Sequence, residues 1–382
     1  MLSWFLKYGA FIYIINTILF SITGFNQIAN AIFYGLMITV SFIVVTSPSL
    51  INRVVLNKKF SLYLCANLIN LGYYLFFEFG DLDSLKYLMS RFVGLTLFAI
   101  SIELHSEFYK EVFFKRIIQV LFIIGLVGLI IDFPSTGRYH GIIGNPNAFA
   151  KEMSLAFGFL YIITTDKNLK DFALLLLFSV LVIISGSRGA LLGIFLPILI
   201  NERISFKSIG LLSIFIVSLY FFSGQFVLES SFSRILSEES IWENRSNEYQ
   251  YAFETFTNKW VEGNGLSKYA YINQNLVSAE LGKNNIASHN GYLAIFVQYG
   301  VIFGFLFFGM LFYFLLKVKR FVFFNKNRKF VKLLVYIIIY GFIAAIVETI
   351  ITGINNFHTA MFWFAFGLLY YEAYSYSELE KK

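Results

Sequence analysis

Three short polar clusters interrupt an apolar chain, and each holds residue types suited to gripping an anion or moving a proton. The first is Gly137-Arg138-Tyr139-His140-Gly141 followed by Gly144-Asn145-Pro146-Asn147. The second is Ser185-Gly186-Ser187-Arg188-Gly189-Ala190-Leu191-Leu192-Gly193, and the third is Ser288-His289-Asn290-Gly291-Tyr292-Leu293. Arg138 and Arg188 are guanidinium forks that match phosphate oxygens and offset two or more negative charges, which makes a diphosphate the natural ligand. Asn145 has the type of an N-cap and Pro146 that of a first helical residue, so the backbone amides there face outward toward an anion. Histidine exchanges protons near neutral pH, and His289 supplies one directly ahead of an apolar run. Cations, helix N-termini and one imidazole together suit a transfer in which a phosphate-linked group leaves and an incoming hydroxyl is activated.

The elements that must position these clusters are membrane helices. Of the 382 residues, 58% are hydrophobic and 14% charged, well away from a soluble domain. Apolar runs long enough to cross a bilayer core recur with short polar gaps. They predict an all-α polytopic membrane protein of about twelve transmembrane helices, near 8–24, 28–46, 60–79, 85–104, 116–133, 148–165, 171–186, 188–201, 206–223, 290–316, 333–351 and 356–374. The first run lacks a small-residue cleavage site after it and is read as a retained span. The organisation is then nine transmembrane helices in 1–223, an extracytoplasmic loop over 224–288, and three more transmembrane helices in 289–382. The loop carries Trp242, Trp260 and several tyrosines. Its stretch from Ser230 to Thr257 is rich in helix formers, predicting one or two short helices over the outer mouth of the bundle.

Charge sets the orientation, because cationic loops stay in the cytoplasm. Alternate connections together with the two termini collect 20 of the 30 cations and 9 of the 23 acids, including seven cations from Lys317 to Lys332 with no acid among them. Both termini are therefore expected in the cytoplasm and all three clusters outside, at the starts of inward-running helices whose positive dipole ends face outward. The +7 formal charge follows topology, so a nucleic-acid partner is not expected.

Other chemistries are poorly served. The single cysteine, Cys65, allows no internal disulfide or thiolate zinc site, and His105, His140, His289 and His358 show no metal-binding spacing. There is no P-loop. Asp81-Leu82-Asp83 has the form of a metal-binding pair but sits in a very short turn and reads as a solvated one. No metal and no cofactor are expected. Arg91 and Glu348 are ionisable groups inside predicted spans, expected either to pair with each other or to touch substrate.

The order Arg-x-x-Gly before Gly144-Asn145-Pro146-Asn147, then Ser187-Arg188-Gly189-Ala190-Leu191-Leu192-Gly193, then a long outer loop ending in His289-Asn290-x-Tyr292-Leu293, resembles the bacterial O-antigen ligase and polymerase family of membrane glycosyltransferases. Arg245, Tyr249 and Ala252 followed by Gly263-Asn264-Gly265 also look like that family, as does Gly300 eleven positions after His289. A second glycine expected three residues later is Phe303 here, with Gly304 following. The resemblance spans about 138–304 and implies a GT-C-like, metal-independent, inverting transferase of the inner membrane that uses an undecaprenyl-diphosphate-linked oligosaccharide. It further implies that Arg188 and Arg138 hold the diphosphate, that His289 orients or deprotonates the acceptor, and that Asn145, Asn147, Arg245 and Asn290 line the site.

Within that family a polymerase transfers the growing glycan onto the next lipid-linked repeat unit, while a ligase transfers the finished chain to lipid A core. The predicted outer side holds 10 cations and 14 acids. That surface disfavours a phosphorylated lipid A core, which tips the reading toward a polymerase, in company with a chain-length regulator as a candidate partner. A lipid-linked sugar transporter is the third reading, weakened by the short connection Asp166–Asp171 where carriers of two six-span halves place a long one. Each site residue also has a plainer role: Arg188 as a snorkelling anchor, Asn145 and Asn147 as caps, Arg245 as a solvated cation, and Asn355, Asn356 and His358 as an ordinary helix start.

Overall fold

The computed structural model describes residues 2–132, 138–164, 168–201, 239–268 and 289–380. Among these the regular structure is helical: α1 Leu2–Leu19, α2 Asn26–Thr46, α3 Pro48–Val54, α4 Ser61–Phe77, α5 Leu82–Glu111, α6 Phe113–Ile131, α7 Pro146–Ile163, α8 Leu169–Ile184, α9 Arg188–Asn201, α10 Glu239–Asn258, α11 Gly291–Asn325, α12 Lys329–Ala344 and α13 Phe357–Leu379. Five segments are long and apolar enough to cross a membrane, namely Asn26–Thr46, Lys58–Phe77, Leu82–Glu111, Phe113–Ile131 and Gly291–Asn325. Their outer faces leave large apolar side chains uncovered, Phe42 and Ile38 on α2 and Phe312 and Phe323 on α11 among them. Such faces suit lipid, where every backbone group must be satisfied within the protein and the helix does so.

Alternate helix ends gather at two poles. At one, the turn after α1 bonds the segment before α7 through Thr23 N–H to Ile142 O (3.0 Å) and Gly144 N–H to Ser21 O (3.0 Å). At the other, Lys110 pairs with Glu372 at 2.7 Å, Arg53 with Glu103 at 3.8 Å and Arg320 with Glu380 at 3.2 Å. Four of the helices that start at the first pole carry side-chain caps: Asp81 accepts from Ser84 N–H, Asn145 from Asn147 and Ala148, Asn290 from Tyr292 and Leu293, and Asn356 from His358 and Thr359. Asp81 thus caps α5 while Asp83 pairs with Lys86 at 2.9 Å.

α7 lies deep in the bundle, against α6, α8, α9 and α12. Glycine makes the closest of these approaches possible: a Cβ on Gly158 would overlap the Tyr336 ring, and the Tyr336 hydroxyl donates to Gly193 O at 2.9 Å on the neighbouring helix.

Two apolar runs are not the unbroken spans the sequence predicts. The run expected over 333–351 ends as a helix at Ala344, and residues 345–356 continue without helix to the start of α13. The physical reason is that other elements claim the backbone groups of this segment. Gly291 N–H donates to Ala345 O, Tyr249 Oη to Ile346 O, Trp363 Nε1 to Ile351 O and Tyr87 Oη to Thr352 O. Irregular backbone at membrane depth persists only where protein satisfies it in this way. The second break is in α11, where Gly300 has φ 65° and ψ −174°. The helix predicted over 85–104 continues to Glu111, with a kink at His105. The run 206–223 and loop residues 224–238 and 269–288 lie outside the described residues, whereas α10 realises part of the helix expected between Ser230 and Thr257.

Candidate functional site

The first cluster forms the entrance to α7. Asn145 takes an extended conformation (φ −138°, ψ 120°) and its side-chain oxygen accepts from Asn147 N–H at 2.8 Å, so it is an N-cap as its type predicts. Arg138 lies across this entrance, donating from Nε to Ser185 O at 2.9 Å and from Nη2 to Asn147 Oδ1. With Tyr139 N–H bonded to Ile184 O at 3.2 Å, the first cluster is stitched to the hairpin of the second. Tyr139 is buried, and burial, with the Asp132 carboxylate adding to it, pushes its phenol up to about 12.

That hairpin turns on Gly186 (φ 63°) and starts α9 at Arg188. Gly189 faces Val347 of the irregular segment, a Cβ there falling 3.7 Å from Val347 Cγ2, and the Tyr340 hydroxyl of α12 donates to Gly189 O at 3.4 Å. The second cluster therefore abuts the turn that carries Glu348.

The third cluster meets the same turn. Asn290 caps α11, with Tyr292 N–H and Leu293 N–H both 3.0 Å from its oxygen, and Gly291 N–H reaches Ala345 O at 2.6 Å. His289 just before it adopts φ 37°, a left-handed backbone uncommon outside glycine. Its Nε2 lies 3.9 Å from Glu248 Oε1 of α10 and its Nδ1 4.0 Å from Glu348 Oε2. Glu348 in turn pairs through Oε1 with Lys151 of α7 at 3.0 Å. One short turn, 345–348, thus joins the lysine of α7, the start of α9, the imidazole before α11 and helix α10, whose Tyr249 hydroxyl bonds Ile346 O at 3.0 Å. The sequence-predicted residues Arg138, Asn145, Asn147, Arg188, His289 and Asn290 all lie at this one pole. Arg245 is on α10, but its side chain is outside the described residues.

Two expectations need correction or enlargement. Arg91 and Glu348 do not pair: Arg91 donates to the carbonyls of Ile351 (2.9 Å) and Gly353 (3.4 Å), while Glu348 takes Lys151. The two are separated because the chain between Glu348 and Gly353 leaves the helix. Lys151, Glu248 and buried Glu152, whose Oε1 accepts from Ser21 Oγ at 3.1 Å, were not singled out from sequence. The signal was present, since Lys151 and Glu152 are adjacent charges inside an apolar run, where ionisable residues are functional by default.

The glycines of the loop and of α11 form one joint. Asn264 N–H bonds Val297 O at 2.8 Å, Gly265 N–H bonds Gln298 O at 3.1 Å and Val301 N–H bonds Trp260 O at 2.7 Å, so the loop backbone occupies the gap that the Gly300 break opens. A Cβ on Gly300 would overlap Val261 O, and one on Gly263 would overlap Gln298 O.

Residues 173–309 match the family model described as O-antigen ligase. This stretch is therefore similar to that family, as the order of the motifs indicated, and it contains Arg188, Arg245, His289, Asn290 and Gly300. Arg138, Asn145, Lys151 and Glu348 lie outside the matched residues, and the bundle brings them to the matched ones. No curated protein matches the chain. Five described segments are long and apolar enough to cross a membrane, and the match over 173–309 supports an O-antigen ligase or polymerase type of function.

Proposed function

We propose that the protein is a surface polysaccharide polymerase, transferring a glycan from undecaprenyl diphosphate onto the next lipid-linked repeat unit at the outer face of the inner membrane. The observation that carries the reading is the meeting of three outward helix starts, two arginine-bearing motifs and His289 around the 345–348 turn. In the reaction an acceptor hydroxyl attacks the anomeric carbon of the donor sugar, the bond from that carbon to the diphosphate oxygen breaks, and the hydroxyl proton passes to His289. The bonding electrons leave on the diphosphate, whose growing charge is met by Arg188, Arg138 and the amides at the start of α7. A single displacement of this kind inverts the anomeric centre and needs no metal. Asn147, Asn290 and Arg245 line the donor site in this reading.

The match to a family described as O-antigen ligase supports a second reading, with lipid A core as acceptor. Purified protein in nanodiscs, given one lipid-linked repeat unit without lipid A or nucleotide, separates the two. A ladder of longer lipid-linked chains, absent in His289→Ala and Arg188→Ala, is the polymerase outcome. Transfer only after lipid A core is added makes the protein a ligase, and product in neither arm removes the transferase reading.

A further inference from the structure

The seven cations from Lys317 to Lys332 are not used alike. Lys329 Nζ donates to Ile163 O at 2.9 Å and Lys332 Nζ to Asn201 O at 3.1 Å, so these two satisfy carbonyls at the ends of α7 and α9, while Arg320 pairs with Glu380 at 3.2 Å. Lys317, Lys319, Lys326 and Arg328 are exposed, and no carboxylate among the described residues lies within ion-pair distance of them. A cationic connection at this pole follows from topology alone. Its alternation with exposed aromatic rings does not.

The end of α11 turns two adjacent stripes outward, Lys319, Phe323 and Lys326 on one and Lys317, Arg320 and Phe324 on the other, in steps of three or four residues that share a helix face. Val318 and Phe321 turn to the core instead. Phe323 and Phe324 are 63% and 60% exposed, and each ring has a cation beside it: Lys326 Nζ lies 5.2 Å from the Phe323 centroid and Arg320 Cζ 5.8 Å from that of Phe324. The same outward face continues up the helix into exposed Leu316 and Phe312, within the segment long and apolar enough to cross a membrane. Water solvates the cations but not the rings, and hydrocarbon suits the rings but not the cations. The headgroup boundary of an anionic lipid suits both.

We propose that this end of α11 is a binding site for anionic phospholipid, with the phosphodiester against Lys317, Lys319, Lys326 and Arg328 and the upper acyl chains against Phe323 and Phe324. Charge complementarity and continuity with the lipid-facing side of the same helix single out a lipid as the occupant. Bound lipid holds α11 at a fixed depth, and the other end of that helix is the Asn290 cap beside His289. The site shares no residue with the three motif clusters, and it stands whether the enzyme is a polymerase or a ligase.

The test is native mass spectrometry and thermal unfolding of the full chain in nanodiscs of phosphatidylcholine with increasing phosphatidylglycerol. The wild type should retain a small fixed number of phosphatidylglycerol molecules, and its midpoint should rise saturably. Each Lys or Arg beside an anionic surface contributes about 1 kcal/mol, about fivefold in affinity, so Lys326→Gln with Arg328→Gln should weaken retention roughly 25-fold. Adding Lys317→Gln and Lys319→Gln should abolish it; should that fourfold variant fail to fold, the pair decides. Lys58→Gln with Lys115→Gln removes two exposed cations from other connections of the same pole and should leave retention unchanged. Equal retention in the Lys326 and Arg328 variant and the wild type overturns the proposal, as does an equal loss in the Lys58 and Lys115 control, which would mean diffuse surface charge. A midpoint raised as much by soluble glycerol phosphate in pure phosphatidylcholine would mean a site for free phosphate and overturn it too.

Discussion

Lys151 Nζ lies 3.0 Å from one oxygen of Glu348, and the other oxygen of that carboxylate lies 4.0 Å from His289 Nδ1. The lysine therefore fixes a carboxylate that faces the imidazole, and in the proposed mechanism that carboxylate would orient His289 as general base. Breaking a buried pair by removing one partner costs about 3–5 kcal/mol, and less is expected here because Glu348 keeps 22% side-chain exposure. Lys151→Met should thus lower the thermal midpoint more than Lys151→Met combined with Glu348→Leu, which removes both members of the pair. Glu348→Gln should lower kcat for chain extension with little change in KM, and shift the pH profile of kcat. An unchanged pH profile would reduce Glu348 to a purely structural pair with Lys151.

The joint between the loop and α11 predicts a different pattern. Gly300→Ala and Gly263→Ala each push a methyl group into a backbone carbonyl and strain a positive φ, so each should destabilise by roughly 1–3 kcal/mol. Since the two glycines close one joint, the double variant should cost less than the sum. Hydrogen exchange of the amides of Asn264, Gly265 and Val301, all bonded across the joint, should accelerate together in either variant. Additive losses would mean that the two glycines act separately.

The helical character and the caps at Asn145 and Asn290 were legible in the sequence, because apolar runs and Asn-Pro and His-Asn starts are local signals. The end of α12 at Ala344 was not. Residues 345–351 are as apolar as the helix before them, and what unwinds them is distant: Tyr249, Gly291 and Trp363 take their carbonyls. For the same reason Glu348 could be recognised as an ionisable group at depth but not assigned its partner. Gly300 was legible as a motif position, yet its role as the gap that receives Trp260 to Gly265 depends on a contact across some forty residues of chain.

Tyr139 gives a pH-dependent prediction. Its hydroxyl is buried without a protein partner, and its phenol is raised from the ordinary 10.0 to about 12. A raised folded value means that the stability linked to the proton is fully present below about pH 10 and is lost as pH climbs from there toward 12. Tyr139→Phe deletes an unsatisfied hydroxyl, so at pH 8 it should be neutral or mildly stabilising. At pH 11 the variant should exceed the wild type by a clearly larger margin in thermal midpoint. A margin that does not grow with pH would show that Tyr139 ionises as an exposed phenol.

Arg138 spans two partners, Ser185 O on the hairpin and Asn147 Oδ1 on the first turn of α7, and this double reach argues for arginine specifically. A lysine retains the charge but offers a compact ammonium that cannot fork across both. If Arg138 holds the donor diphosphate as proposed, Arg138→Lys should raise the KM for the lipid-linked donor nearly as much as Arg138→Ala. Asn147→Ala should produce part of the same rise by releasing one arm of the fork. Because the two residues share one hydrogen bond, their double variant should show a coupling of about 0.5–3 kcal/mol in kcat/KM. Full activity in Arg138→Lys would reduce the fork to a structural clamp and leave Arg188 as the diphosphate ligand.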